Sequence, residues 1–348
     1  MARIVGVETF FAEDIALVRV RSEDGHEGWG QVAPYHADIT ALVLHRQVAP
    51  HVLGQVDGDL TALGERVMER EHKFPGSHLV RALGGVDTAL WDLRGRRAGK
   101  PVCELIGGSV RRLPVYASSM RRDIEPAEEA TRLAGLQDRH GYRAVKFRIG
   151  RECGHDQDEW PGRTEAVVPA VRRAVAEGTT LLVDANSCYT PAKAIEVGRM
   201  LQDEGVGHFE EPCPYWEQEW TAEVTAALDL DVTGGEQDCL LSTWRRMLGL
   251  RAVDVAQPDV CYLAASPGRC AWPRWPRVPG CRWCRTRRTS AWSRCSHCTS
   301  WRRSRTPALM WSSRSSPAPT TPGSTASSIR AWSSRTGWSR SQPARAGA

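Results

Sequence analysis

Residues 3–10, 15–21 and 27–32 alternate apolar and polar positions, separated by turn signals such as Asp24-Gly25. This pattern predicts a three-stranded antiparallel sheet. Helical spacing follows at about 37–48, 59–70 and 79–97, the last placing Leu79, Leu83, Val86, Leu90 and Leu93 on one face. Gly107-Gly108 closes this α+β region. From about residue 114 the period changes. Short apolar strands read as VYASS (115–119), AVKFRI (144–149), TLLVDA (180–185), VGHFEEP (206–212), DVTGGE (231–236) and VDVAQPD (253–259). Helices lie between them, for example over 126–139, 164–177 and 191–204. Strand–helix alternation of this length implies a parallel sheet with right-handed crossovers, either a (β/α) barrel or an open doubly wound sheet. No Gly-rich phosphate fingerprint follows the first strand, which disfavours a dinucleotide fold. The expected fold class is therefore α/β: a TIM-like (β/α) barrel, incomplete at six legible strands, preceded by an α+β domain. The expected boundaries are 1–113, 114–263 and a tail over 264–348.

Composition sharpens the last boundary. With 348 residues, 41% hydrophobic and 25% charged, the chain is long enough for a large core and reads as a soluble globular protein. No apolar run approaches the roughly 20 residues of a membrane span. The first residues lack a basic stretch followed by a continuous apolar one, so no signal peptide is expected and a cytoplasmic location is the default. Of the 46 Lys and Arg, 16 (all Arg) lie in residues 266–348, which hold no Asp or Glu; the first 265 residues thus carry 30 basic against all 41 acidic side chains. Six cysteines are scattered singly from Cys103 to Cys261, and five crowd the tail. The pairs Cys281/Cys284 and Cys295/Cys298 have zinc-like spacing, but only Arg, Trp and Ser-rich text separates them.

Charged residues recur at the C-terminal ends of successive strands: Lys146 and Arg148, then Asp184, Glu210, Glu236 and Asp259. In a (β/α) barrel those ends converge on one mouth, where catalysis takes place. Asp184, Glu210 and Glu236 are spaced 26 residues apart, about one strand–helix repeat. Singly, each reads as a solvated or helix-capping acid. Together they would repel one another unless a hard divalent cation neutralised them, and oxygen ligands with few histidines favour Mg²⁺.

The lines VKFRIG, VDANSCYT, HFEEP, TGGEQ and VAQPDV, with the earlier ALGGVDTALWDLRGRRAGKPVCELIGG, resemble the enolase superfamily in its mandelate racemase/muconate lactonizing branch, over roughly residues 1–263. The resemblance implies an α+β capping domain on a modified barrel and Mg²⁺ ligation by Asp184, Glu210 and Glu236. It also implies removal of the proton α to a carboxylate, with Mg²⁺ stabilising the charge that develops. Lys146-x-Arg148 resembles the family's Lys-x-Lys, whose second lysine usually serves as base. A guanidinium stays protonated, so Arg148 is a poor base and a good carboxylate anchor; Lys146 would take over as base if nearby positive charge lowered its pKa. The plainer reading makes both residues strand-end cations that balance an acidic mouth. Asp259 resembles the aspartate that orients a histidine base from the next strand. Asn186, two residues after a ligand, resembles a substrate- or metal-shell group, Glu211 is expected to bind substrate, and His208, whose facing is ambiguous, reads as a satisfied core histidine rather than a base. The loops Phe11–Asp14 and Phe74–His78 are expected, by analogy, to shape substrate choice. None of the four lysines (Lys73, Lys100, Lys146, Lys193) falls on the sixth strand, which argues against lactonizing and dipeptide-epimerising activities.

After Leu263 the resemblance stops. The text from Ser266 onward holds eight Trp and 16 Arg. A nucleic-acid-binding arm is one reading of it and disorder another. Codons explain more. Trp is TGG and proline codons begin CC, so reading one base earlier turns Trp272-Pro273 and Trp275-Pro276 into alanine codons and Met310-Trp311 into a valine. With suitable third bases the stretch 268–290 then reads as an amphipathic helix and an apolar strand, with a histidine at position 286, 27 residues beyond Asp259, and residues 306–317 similarly allow a glutamate at position 312 that resembles the family's eighth-strand acid. The tail is accordingly expected to be out of frame and disordered, in place of barrel strands seven and eight. The encoded function is expected to be a Mg²⁺-dependent acid-sugar dehydratase or racemase/epimerase acting on a small-molecule carboxylate, impaired in this chain. A sugar-acid lactone cycloisomerase is the alternative. From another class, a non-catalytic metal-binding remnant or a nucleic-acid-binding protein using the basic tail remains open. Neither a membrane nor a nucleic acid is the expected partner, and the complete protein is expected to be a homo-oligomer.

Overall fold

The computed structural model describes residues 1–12 and 15–263 together with the backbone of Arg330–Ser333. Two units are compact in themselves. One comprises Met1–Val110 with residues 260–263 and 330–333, the other Arg111–Asp259.

In the first unit, β1 (Ile4–Ala12), β2 (Ile15–Ser22) and β3 (Glu27–Gln31) form the expected antiparallel meander. The helical stretches are α1 (Ala37–Val43), a π-helical segment (Leu44–Val48), α2 (Ala49–Val52), α3 (Leu60–Arg70), α4 (Ser77–Ala98) and α5 (Val102–Leu105). Asp59 caps α3 by accepting from the N–H groups of Thr61 and Ala62 at 3.0 Å. α4 buries the five apolar residues that the spacing placed on one face. It lies so close to β3 that a Cβ at Gly28 would stand 2.1 Å from the Ala89 carbonyl oxygen, which explains the glycine there. The sheet has four strands rather than three: β10 (Arg330–Ser333) pairs antiparallel with the outer edge of β1, from Glu8↔Ser333 to Phe11↔Arg330. An edge strand offers a row of unpaired N–H and C=O groups to any extended segment, and a meander of three strands leaves β1 with such an edge. Cys261 and Tyr262 bury against Ala33, and Arg81 stacks on the Tyr262 ring at 4.0 Å.

His45, on the π-helical segment, shares a hydrogen bond with Thr9 Oγ1 at 3.0 Å. Burial pushes its imidazole down to about 4, against the pull of nearby Glu8. A histidine depressed in the folded state adds stability that is full above the unfolded value and falls as the pH drops from there to the folded one. The full chain is thus expected to lose roughly 2–3 kcal/mol between about pH 6.5 and pH 4 at this residue, allowing for its partial exposure. Urea midpoints across that interval, compared with a His45→Gln variant, check it: the variant should lack this part of the slope.

In the second unit, strands alternate with helices: β4 (Ala117–Ser118), α6 (Pro126–His140), β5 (Ala144–Arg148), α7 (Arg163–Ala174), β6 (Thr180–Asp184), α8 (Pro191–Asp203), β7 (Val206–Glu210), α9 (Gln218–Ala227), β8 (Asp231–Gly234), α10 (Leu241–Gly249) and β9 (Val255–Ala256). Proline opens α6 and α8, where its missing N–H costs nothing, and Gly141 ends α6 at φ 69°. The six strands pair in parallel in the order β4-β5-β6-β7-β8-β9, the sheet expected for a TIM-like barrel. Val145 and Phe147 on β5, Ile149 just beyond it, Leu181 and Val183 on β6 and Phe209 on β7 share one buried core with Leu133 of α6, Val167 and Val171 of α7, and Val197 and Leu201 of α8. Lys146, Arg148, Asp184 and Glu210 fall between those positions and take the other face. No described helix is long and apolar enough to cross a membrane.

Candidate active site

The strand ends set the register of the site. Arg148 on β5 pairs with Asp184 on β6, and Asp184 with Glu210 on β7. The β6–β7 ladder skips Gly207, so an irregularity places Glu210 level with Asp184. Glu210 pairs in turn with Thr233 on β8, not with Glu236. Glu236 stands two residues past the end of β8, beyond Gly234-Gly235.

Lys146 is buried and bridges the first two acids. Its Nζ donates to Glu210 Oε1 at 2.8 Å and lies 3.3 Å from Asp184 Oδ2, with the Tyr116 ring centroid 6.0 Å away. Burial opposes its charge, but Asp184, Glu210, Tyr116 and Glu236 outweigh it, and the ammonium is held well above the ordinary lysine range. That is the reverse of what a lysine base requires. Arg148 does not lower the Lys146 pKa enough, because two carboxylates touch the ammonium directly.

The remaining valences of these acids are mostly filled. Asp184 Oδ1 accepts from the Asn186 N–H at 3.0 Å, and Glu210 Oε2 from Gln257 Nε2 at 3.1 Å. Asn186 Nδ2 donates to Glu211 Oε2 at 3.3 Å. Burial raises the Glu211 carboxyl well above its ordinary range, and Asp184, Glu236 and Glu210 add to the effect. Glu210 is also raised, by burial first, with Lys146 pulling the other way. Four carboxylates therefore feel one another around a single bridging ammonium. Among the described residues, no three His, Cys, Asp or Glu side chains stand close enough as they are to hold a metal ion: Asp184 and Glu210 are turned to Lys146, and Glu236 sits on the next turn. The donor set nevertheless fits a hard dication. It is all oxygen and carries surplus negative charge, and Glu211 Oε1, Thr233 Oγ1 and Gln257 Oε1 are buried with no hydrogen-bond partner.

Arg148 is half-buried. Its carbonyl accepts from Arg163 Nη1 at 2.9 Å, its Nη2 contacts Met120 Sδ at 3.6 Å, and its Nε–H is buried without a partner. Asp259 follows β9 by three residues and is half-buried. The position 286 that would pair with it, position 312, and Glu13 and Asp14 of the first-unit loop lie outside the described residues. His208 is not buried in the core as expected. It is half-exposed and 3.8 Å from Asp231 Oδ2, because the irregularity at Gly207 turns it out of the core row. Sequence reasoning missed Tyr116, Arg122, Thr233 and Gln257. Only Gln257 carried a signal, two residues before Asp259 in the AQPD line.

Comparison with known proteins locates this arrangement. Residues 4–107 match the mandelate racemase/muconate lactonizing enzyme N-terminal domain, and residues 127–265 match the enolase C-terminal domain-like family. A solved structure from Roseobacter denitrificans, described as a candidate racemase, is 59% identical, with a TM-score of 0.74, covering 75% of this chain and 72% of that one. The chain belongs to the mandelate racemase/muconate lactonizing enzyme family of the enolase superfamily. A family protein from Paracoccus denitrificans PD1222, solved in complex with magnesium, is 32% identical at a TM-score of 0.72, over 78% of this chain and 74% of that one. Among curated relatives, the arabinonate dehydratase of Saccharolobus solfataricus is 28% identical over 72% of this chain and 66% of its own length. The D-galactarolactone cycloisomerase of Agrobacterium fabrum is 30% identical over 70% of this chain and 63% of its own length. The chain thus spans somewhat under two thirds of these curated relatives.

Proposed function

We propose that the gene encodes a Mg²⁺-dependent enzyme that removes the proton α to the carboxylate of an acid sugar, leading to dehydration or epimerisation. The observation that carries this reading is the gathering of four acids, Asp184, Glu210, Glu211 and Glu236, at the ends of three adjacent strands, with the buried Lys146 ammonium bridging two of them. Asp184, Glu210 and Glu236 would hold the ion, which supplies positive charge to the substrate carboxylate as the proton leaves. The Lys146 ammonium bridges Glu210 and Asp184 and holds the two aligned. Arg148, with an unspent buried N–H, anchors an anionic group of the substrate. Asp259 orients a base from the next strand. The same constellation serves ring opening or closure of a sugar-acid lactone, and the 30% identity to a cycloisomerase favours that as the second reading.

We infer further that the reading frame shifts by one base near residues 263–266, so that the tail over 264–348 replaces the last two strand–helix units and the base that Asp259 would orient. The parent enzyme acts on a small-molecule carboxylate in the cytoplasm as a homo-oligomer. The function is tested by incubating the frame-restored chain with an acid-sugar library in D₂O. Mg²⁺-dependent incorporation of deuterium at the α-carbon is expected. No exchange with any acid sugar in the library would overturn the assignment, and the product identifies dehydration, epimerisation or cycloisomerisation.

A further inference from the structure

Arg122 follows β4 and is nine-tenths buried. Its Nε donates to the Gly150 carbonyl at 3.0 Å and its Nη2 to Asn186 Oδ1 at 2.7 Å. A guanidinium can only donate, so this contact dictates which end of the Asn186 amide is oxygen. The NH₂ end must then face Glu211 Oε2, where it donates at 3.3 Å. Through its backbone the same asparagine donates to Asp184 Oδ1 and accepts from the Cys153 N–H, each at 3.0 Å. Asn186 thus touches two of the clustered acids, one by its side chain and one by its main chain.

The backbone here is held in an uncommon state. Asn186, Ser187 and Glu211 have φ of 42°, 64° and 44°, and the Ser187 N–H donates to the Glu211 carbonyl at 2.8 Å. Left-handed conformations at non-glycine residues persist only where neighbours over-determine them. Both ends of the Asn186 amide are engaged within this cluster.

We propose that Arg122 is a positioning residue, one that sets the orientation of the Asn186 amide and through it the placement of Glu211 and Asp184 in the metal centre. The proposal rests on the metal-site reading above.

The test is a double-mutant cycle on the full chain, with Mg²⁺ affinity read by calorimetry. Arg122→Met is expected to weaken Mg²⁺ binding about 10–100-fold, the usual effect of losing an outer-shell partner. Arg122→Lys, which can still donate to Asn186, should recover part of it. In an Asn186→Ala background the Arg122→Met effect should vanish, since the influence passes through that one side chain. An unchanged affinity in a folded Arg122→Met chain, or simple additivity with Asn186→Ala, would overturn the proposal. A second measurement needs no metal and separates this idea from the metal-site reading. The Asn186 side-chain amide should give one protected pair of NMR resonances in the starting chain and lose that protection in Arg122→Met and, less, in Arg122→Lys. An unaltered pair would overturn the positioning role even if no Mg²⁺ is taken up.

Discussion

Replacing Lys146 with methionine is expected to destabilise the metal-free protein by about 3–5 kcal/mol, the range for breaking a buried ion pair from one side. The magnitude follows from what remains. Glu210 and Asp184 lose the ammonium at 2.8 and 3.3 Å, and no other described cation bridges them. Methionine fills the space of the aliphatic stem, so lost packing contributes little. The sign of the pH dependence is also set. Glu210 and Glu211 are raised above the ordinary carboxylate value by burial. Each therefore contributes stability that is full below the unfolded pKa and is lost as the pH rises through the folded one. Removing Lys146 steepens that loss, so the variant should be closest to the starting protein at acid pH and furthest from it at pH 8. Mg²⁺ should offset a large part of the defect, because an ion that binds only the folded chain adds about 2.7 kcal/mol at a hundredfold excess over its dissociation constant. Urea unfolding in EDTA and in Mg²⁺ gives both numbers. A loss below about 1 kcal/mol, or one indifferent to Mg²⁺, would be incompatible with a lysine that balances the metal-binding acids.

The second large effect concerns the tail. Restoring the frame from residue 264 onward is expected to raise α-hydrogen exchange by about 10²–10⁴-fold over the chain as it stands, the usual contribution of a positioned acid–base group. The reasoning is local. Asp259 stands just beyond β9, and the proposed frame would, with suitable third bases, supply a histidine at position 286, 27 residues later and one strand–helix repeat on. Deuterium incorporation measured in parallel on the two chains, at equal Mg²⁺, provides the comparison. Equal rates would show that neither the histidine nor the last two units matter to proton abstraction.

The strands and helices of both units were legible because their periodicities are clean. Alternation marked β1–β3, and the 26-residue repeat of Asp184, Glu210 and Glu236 marked successive βα units. That even spacing concealed uneven geometry. The skipped Gly207 brings Glu210 level with Asp184, whereas β8 is short and ends at Gly234, so Glu236 falls on a turn and Thr233 takes the position across from Glu210. Arg122 was invisible for a different reason: 64 residues separate it from Asn186, and a long-range side-chain contact leaves no local pattern. The protonation of Lys146 could not be read either. Its sign depends on whether carboxylates or Arg148 stand nearer, which is a matter of distance and not of order along the chain. The fourth strand of the first sheet depends on β10, in a segment whose Arg/Ser/Trp text carries no strand alternation.

Magnesium titration of the chain by calorimetry, repeated on Glu236→Gln, tests the metal centre most directly. One equivalent bound per chain, weakened at least tenfold by the substitution, is the expected result. Failure to take up Mg²⁺, or uptake indifferent to Glu236, would contradict a site built from Asp184, Glu210 and Glu236.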